Sequence, residues 1–209
     1  MDRLDTMTLA RFLDAVAAKS PTPGGGAVAA STGAVAAALG SMVVAYSLGK
    51  KNLAEHQATL ECASSSLRRA RDIFLELAEE DAAGYAVLNE LLKLPPEDPR
   101  RDREMPGAVE ASMAPPRATV AAAADLMRLL ESLAPITNRH LRSDLAVAAG
   151  LAEATARAGW WNIAANISMV TDTASRESMA REASGLLRDA SARRAVIERA
   201  CAFEGMSGN

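Results

Sequence analysis

Apolar residues recur at helical spacing along most of the chain. Leu9, Phe12, Leu13 and Val16 mark one face of a short first helix over residues 8–19. Ser20-Pro21-Thr22-Pro23-Gly24-Gly25-Gly26 ends it, because prolines and glycines cannot continue a helix and permit unusual backbone angles. An uncharged Ala-rich second helix follows over 26–47. Gly49 suits its C-cap, and Lys50 and Lys51 suit the negative end of its dipole. A long third helix is expected over 53–92, closed by Leu94-Pro95-Pro96. The charged segment 97–105 reads as a surface loop or a frayed turn. Pro106 opens a short helix, and Ala114-Pro115-Pro116 marks another break. Further helices are expected over 117–134, 143–170 and 175–201, with a disordered tail from Gly205. No repeat and no long linker divides the chain. The expectation is an all-α, single-domain bundle of about six main helices over 1–204, with a long central helix.

Composition supports that class. Hydrophobic residues are 49% of the chain but aromatics only 3%, so the apolar content is mostly alanine, leucine and valine. Alanine is the best helix former, and strand formers are sparse. The net charge of -3 comes from interspersed acidic and basic residues, with no basic stripe for nucleic acid and no polybasic membrane patch. Ser20 to Gly49 carries no charge and is long enough to span a bilayer, yet its Gly, Ala, Ser and Thr make it weakly hydrophobic. The expectation is a helix buried in a soluble bundle. The start, Met1-Asp2-Arg3, lacks the basic region and apolar run of a signal peptide, so a cytoplasmic location is expected. Cys62 and Cys201 form no CxxC pair, and His56 and His140 sit in no HExxH pattern, so neither metal nor disulfide chemistry has motif support.

Two helices carry polar residues where their stripes call for apolar ones. In the third, Leu67, Ala70, Phe74, Leu77, Ala78, Tyr85, Leu88 and Leu92 share a face, and Asp81 falls at its centre, with Glu79 and Glu80 turned away. A buried carboxylate needs a partner, a raised pKa or a wet pocket, so Asp81 is either a structural ion pair or a functional acid. In the fifth, Asp144, Val147, Ala148, Leu151, Thr155, Ala158, Asn162 and Asn166 share a face, with Glu153 and Arg157 expected on the solvent side. Asn162 and Asn166 present two amides at i,i+4, for a ligand or for a neighbouring helix. Asp144 lies about 27 Å along the axis from Asn162, too far for one small ligand of one subunit. Gly24, Gly26 and Ala29 fit a GxGxxA pattern, but no strand precedes it, so the dinucleotide reading fails on context. What remains is a glycine turn that opens a helix, able to hold an anion or to let helices pack closely.

Together these pieces resemble the cyclodeaminase/cyclohydrolase family of folate enzymes. The family comprises methenyltetrahydrofolate cyclohydrolases and the cyclodeaminase domain of formiminotransferase-cyclodeaminase. The resemblance rests on the Ser20 to Gly26 turn with its Ala-rich helix, Ser41-Met42-Val43, Gly49-Lys50-Lys51, Asp81 with Tyr85, and Ser143-Asp144 followed by Asn162 and Asn166. Ala45, Asn52, His140 and Trp160-Trp161 depart from the family's usual residues. The resemblance implies a homodimer that binds tetrahydrofolate in a cleft, with no cofactor or metal beyond the folate. It implies hydrolysis of 5,10-methenyltetrahydrofolate to 10-formyltetrahydrofolate, or alternatively closure of formiminotetrahydrofolate with loss of ammonia. A reading of another class is a non-catalytic folate-binding or helical assembly protein. Under the enzymatic readings the expected catalytic residues are Asp81, Asp144 and Lys50. Pro23, Gly24, Gly25, Gly26, Lys51, Tyr85, Ser143, Asn162 and Asn166 would bind substrate.

Overall fold

The structure, a computed structural model, describes residues 3–202. The tail expected from Gly205 lies outside them. Six α-helices and no strand occur among the described residues: α1 (Leu9–Ala17), α2 (Gly25–Ala45), α3 (Gln57–Leu92), α4 (Pro99–Leu133), α5 (Arg142–Asn166) and α6 (Thr173–Cys201). Short 3-10 segments lie at Leu4–Thr6, Lys51–His56, Arg139–Leu141 and Ile167–Met169. The fold class is therefore all-α.

The bundle is built around α2, which packs on α3 along one side and on α5 along the other. α4 closes the far side against α3 and α5, and α6 lies across α4 and α5. Three glycines at seven-residue spacing set the α2–α3 contact. A Cβ on Gly26 would lie 2.0 Å from the Asp81 carboxylate, one on Gly33 2.6 Å from the Phe74 ring, and one on Gly40 3.1 Å from Leu67. The partners descend by seven as the glycines ascend by seven, so the two helices run antiparallel in one register. Missing side chains on α2 are matched by large ones on α3, which draws the axes together and leaves Leu67 and Phe74 fully buried.

Several local expectations are corrected. Residues 97–105 are not a loop, and Pro106, Pro115 and Pro116 do not break the chain: α4 runs unbroken through all three. Asp98 caps it by accepting the Arg100 amide at 2.8 Å, and Pro99 occupies its first turn, where a missing N–H costs nothing. The interior prolines cost several kcal/mol in an isolated helix, about 3 kcal/mol or more each. Burial of Met113, Val120, Leu126, Met127, Leu130 and Leu133 outweighs that cost. Pro115 removes the donor that the Ala111 carbonyl would have met, and α3 presents Gly84 beside that carbonyl, 3.0 Å from where a Cβ would sit.

Glu153 was expected on a solvent face but is buried, because α6 covers it. It accepts Ser191 Oγ at 2.8 Å and pairs with Arg157. The apolar face of α1 is packed only in part: no residue of that helix is fully buried, Phe12 lies half-buried against the core, and Leu9 is 73% exposed. Leu91, not Leu92, faces the core at the end of α3, and Val147 is largely exposed on α5. α2 is the only described helix long and apolar enough to cross a membrane, and more than half of that stretch is packed inside the bundle.

Candidate functional site

Gly24 is the N-cap of α2 and has no side chain to cap with. The first amides of a helix have no intrahelical partner. One of them, the Ala27 N–H, donates to the Asp81 carboxylate arriving from α3. The close approach of Gly26 makes this possible, since any side chain there would displace the acid. Asp81 thus takes the third place in the row of Leu67 and Phe74 and caps α2 from a neighbouring helix. Two influences on its carboxyl oppose each other. Burial pushes the pKa above the usual carboxylate range, and the Ala27 hydrogen bond pulls it back by a smaller amount. Glu79 is drawn elsewhere and accepts the Asp5 amide at 3.2 Å.

Beside this acid lies a cavity of about 280 Å³, lined by Pro21, Thr22, Gly24, Gly25, Gly26, Asp81, Tyr85, Ser112, Pro116, Asn162, Ala165 and Asn166. Both asparagines turn their NH2 groups back along α5: Asn162 donates to the Ala158 carbonyl at 2.8 Å, and Asn166 to the Asn162 carbonyl at 3.4 Å. That leaves the Asn162 Oδ1 facing the glycine turn, 3.3 Å from where a Gly25 Cβ would be. On the α4 wall, Pro116 removes the donor that the Ser112 carbonyl would have met, and both residues line the cavity. No Lys, Arg or His lines it. The walls therefore offer a carboxylate and amide oxygens, with the Gly25 and Gly26 amides on one side. This set suits a flat ligand rich in N–H groups that carries positive charge.

The structure brings together Gly24, Gly25, Gly26, Asp81, Tyr85, Asn162 and Asn166 of the residues expected from sequence. Pro23 is buried in the same turn but is not part of the lining. Lys50, Lys51, Ser143 and Asp144 are not there. The lysines are exposed beyond the other end of α2, whose 21 residues span about 30 Å. Ser143 and the half-buried Asp144 lie in the first turn of α5 at that same end. The linker before α5 is fastened there, Asn138 donating from its amide to Ser47 Oγ at 2.8 Å and from Nδ2 to the Tyr46 carbonyl at 3.3 Å. One subunit thus carries acid and amide groups at one end and two lysines at the other. Pro21, Thr22, Ser112, Pro116 and Ala165 were not expected from sequence. Ser112 and Pro116 were hidden because Pro115-Pro116 reads as a helix break.

A larger cleft of about 620 Å³ lies between α4 and α6, floored by Met105, Met113 and Met179. Its charged groups do not converge: Arg117 pairs with Glu182, and Asp172 caps α6 by accepting the Ser175 amide. It lacks the focused polar set of the smaller cavity.

An all-helical bundle with an acceptor-lined cavity at a glycine-opened helix defines the class. The sequence profile of the formiminotransferase-cyclodeaminase family matches residues 8–185. The chain belongs to that family, a family of enzymes. It is 31% identical over 193 residues to a formimidoyltransferase-cyclodeaminase of Sus scrofa, covering 90% of this chain and 36% of that protein. It therefore spans about a third of the length of the bifunctional relatives it matches. It is also 31% identical over 189 residues to a methenyltetrahydrofolate cyclohydrolase of Methylorubrum extorquens, covering 88% of this chain and 91% of that one. The crystal structure of a formiminotetrahydrofolate cyclodeaminase from Thermotoga maritima superposes with a TM-score of 0.88 at 26% identity, covering 95% of this chain and 97% of that chain.

Proposed function

We propose that this protein is a methenyltetrahydrofolate cyclohydrolase, converting 5,10-methenyltetrahydrofolate to 10-formyltetrahydrofolate. The observation that supports the reading is Asp81, a half-buried acid with no cation beside it, in a cavity whose size and acceptors suit a bicyclic cationic amidine. The Methylorubrum cyclohydrolase, matched over most of its length, supports the choice of reaction. In this reading Asp81 faces the cationic bridge carbon. Water adds to that carbon and gives a proton to the carboxylate. The bond from the carbon to N5 then breaks, N5 takes the proton held by Asp81, and the hydroxyl proton leaves as the formyl carbonyl forms. One proton is released overall. A carboxyl raised by burial is suited to taking a proton and returning it. Asn162 and Asn166 orient the pterin edge or the water, and the Gly25 and Gly26 amides face a substrate oxygen. The reading includes no metal or cofactor beyond the folate, and a cytoplasmic location.

A second reading, cyclodeaminase action on formiminotetrahydrofolate, draws on the Thermotoga enzyme and uses the same cationic bridge. Loss of methenyl absorbance with purified protein, and separately its appearance with ammonia from formiminotetrahydrofolate, distinguish the two. Hydrolysis without ammonia release supports the first reading. Ammonia release alone replaces it with the second. Turnover of neither, with folate binding retained, leaves a non-catalytic binding protein.

A further inference from the structure

Pro115 and Pro116 stand in the interior of α4, and each lacks the N–H that the helix would use there. Their effects on the preceding turn differ. The Ala111 carbonyl, freed by Pro115, still has the Ala114 amide three residues on. The Ser112 carbonyl meets a proline at both places, Pro115 three residues on and Pro116 four. It therefore has neither a 3-10 nor an α-helical donor. No side chain or neighbouring element donates to it among the described residues, and the Ser112 hydroxyl itself donates to the Val109 carbonyl at 2.9 Å.

The proline turn is also clamped. α3 brings Gly84 so close that a Cβ there would lie 3.0 Å from the Ala111 carbonyl oxygen and 3.5 Å from the Ser112 Cα. On the other side α5 brings Gly159, whose Cβ would lie 3.3 Å from the Pro116 carbonyl oxygen. Held from both sides, the turn cannot swing its bare carbonyl towards another donor. Interior prolines and an unpaired buried carbonyl are each destabilising, and such cost persists where the surroundings enforce it.

Ser112 and Pro116 both line the cavity beside Asp81. The gap between them, where the missing hydrogen bond would run, opens on that cavity. α3 and α4 are consecutive and antiparallel, with Gly84 level with Ala111 and Ser112. Asp81, one turn earlier on α3, is then level with the gap. The carboxylate and the bare carbonyl border the same space.

We infer that the Ser112 main-chain carbonyl is a ligand-binding acceptor, kept free by Pro115-Pro116, which takes an N–H from the edge of a flat ring held against Asp81. This rests on the folate reading only for the identity of the donor, which there is the exocyclic amine of the pyrimidine ring. The carbonyl has no proton to give. It acts on binding and on the choice of ligand, and leaves the chemical step to Asp81.

Pro116→Ala restores an amide that closes the helix onto the Ser112 carbonyl and withdraws it from the cavity. Pro106→Ala restores an amide in α4 outside this cavity and is the control. With 5,10-methenyltetrahydrofolate, Pro116→Ala is expected to raise KM about tenfold with kcat within about twofold of wild type, the size of one ordinary hydrogen bond. Pro106→Ala is expected to change neither. The second readout is an analogue with methyl in place of the exocyclic amine, which a purely structural proline would not distinguish. Wild type is expected to take it about tenfold less well than the substrate, and Pro116→Ala about equally well. An unmoved KM in Pro116→Ala, or the same loss on the analogue in both proteins, overturns the inference. Where neither folate substrate reacts, pterin binding followed by its fluorescence decides instead. Affinity about tenfold weaker in Pro116→Ala then keeps the carbonyl's role while the folate reaction falls. Equal affinity, or no binding to either protein, removes both.

Discussion

Gly26→Ala tests the link between the bundle and its chemistry. The new Cβ would lie 2.0 Å from Asp81 Oδ1, whereas a carbon–oxygen contact needs about 3.3 Å. More than 1 Å must come from the start of α2 or from Asp81 itself. Forcing such a shift costs about 1–3 kcal/mol, and losing the Ala27 hydrogen bond to a charged acceptor costs about 1.5–3 kcal/mol more. A total near 3 kcal/mol should lower the Tm by at least about 6 °C in a chain of this size. Displacing the acid by about 1 Å should cost about 100-fold in turnover. Gly25→Ala is the control: its Cβ would stand 3.3 Å from Asn162 Oδ1, where a few tenths of an ångström suffice. Calorimetry and the methenyl absorbance assay measure the two effects. The double variant Gly26→Ala with Asp81→Ala should regain the part of the stability lost to the overlap and none of the turnover. If Gly26→Ala behaves like Gly25→Ala in both assays, the contact between α2 and Asp81 is not what holds the site.

Asp81→Asn should raise stability at neutral pH while lowering turnover. Burial holds the folded-state pKa above the ordinary 3.8, so the protonated acid favours folding fully below 3.8 and that contribution is lost as pH rises through the raised value. The Tm advantage of the Asn variant should therefore shrink as pH is lowered towards 3.8, and an advantage that is constant with pH would contradict this assignment. Glu153→Ala should cost about 1–3 kcal/mol, measured by urea unfolding, because it strips the buried acid from Ser191 and Arg157 between α5 and α6. Gly33→Ala should cost a similar amount, about 1–3 kcal/mol, through the Phe74 ring, and Gly33→Ala with Phe74→Leu should recover part of it.

Helix class and most helix centres were legible in the sequence, because apolar spacing in an alanine-rich chain leaves few alternatives. Asp81 and the two asparagines were legible as polar intrusions in apolar stripes. The continuity of α4 was not. Local rules place a break at Pro115-Pro116, and only packing against the other helices reverses them, so Ser112 and Pro116 were missed with it. Glu153 was misplaced for a related reason: a residue opposite one stripe faces solvent only until another helix arrives, and α6 arrives there. Helix rise already set Asp144 a helix length from Asn162, but periodicity could not show which end of each helix meets Asp81, since it fixes faces and not how the helices are arranged. Gly26, Gly33 and Gly40 were visible in the sequence at seven-residue spacing, yet their meaning needed the partners at Asp81, Phe74 and Leu67.

That glycine row leaves an ambiguity that the acid resolves. Three equal notches would allow α2 to slip one heptad, about 10 Å, along α3 and still seat a large side chain in two of them. After such a slip Asp81 would sit against Gly33, in mid-helix, where every amide is already taken by the helix itself. Only the first notch offers an unused N–H to a desolvated carboxylate. The residue proposed to move the proton is thus also the one that fixes the rung on which the two central helices lock.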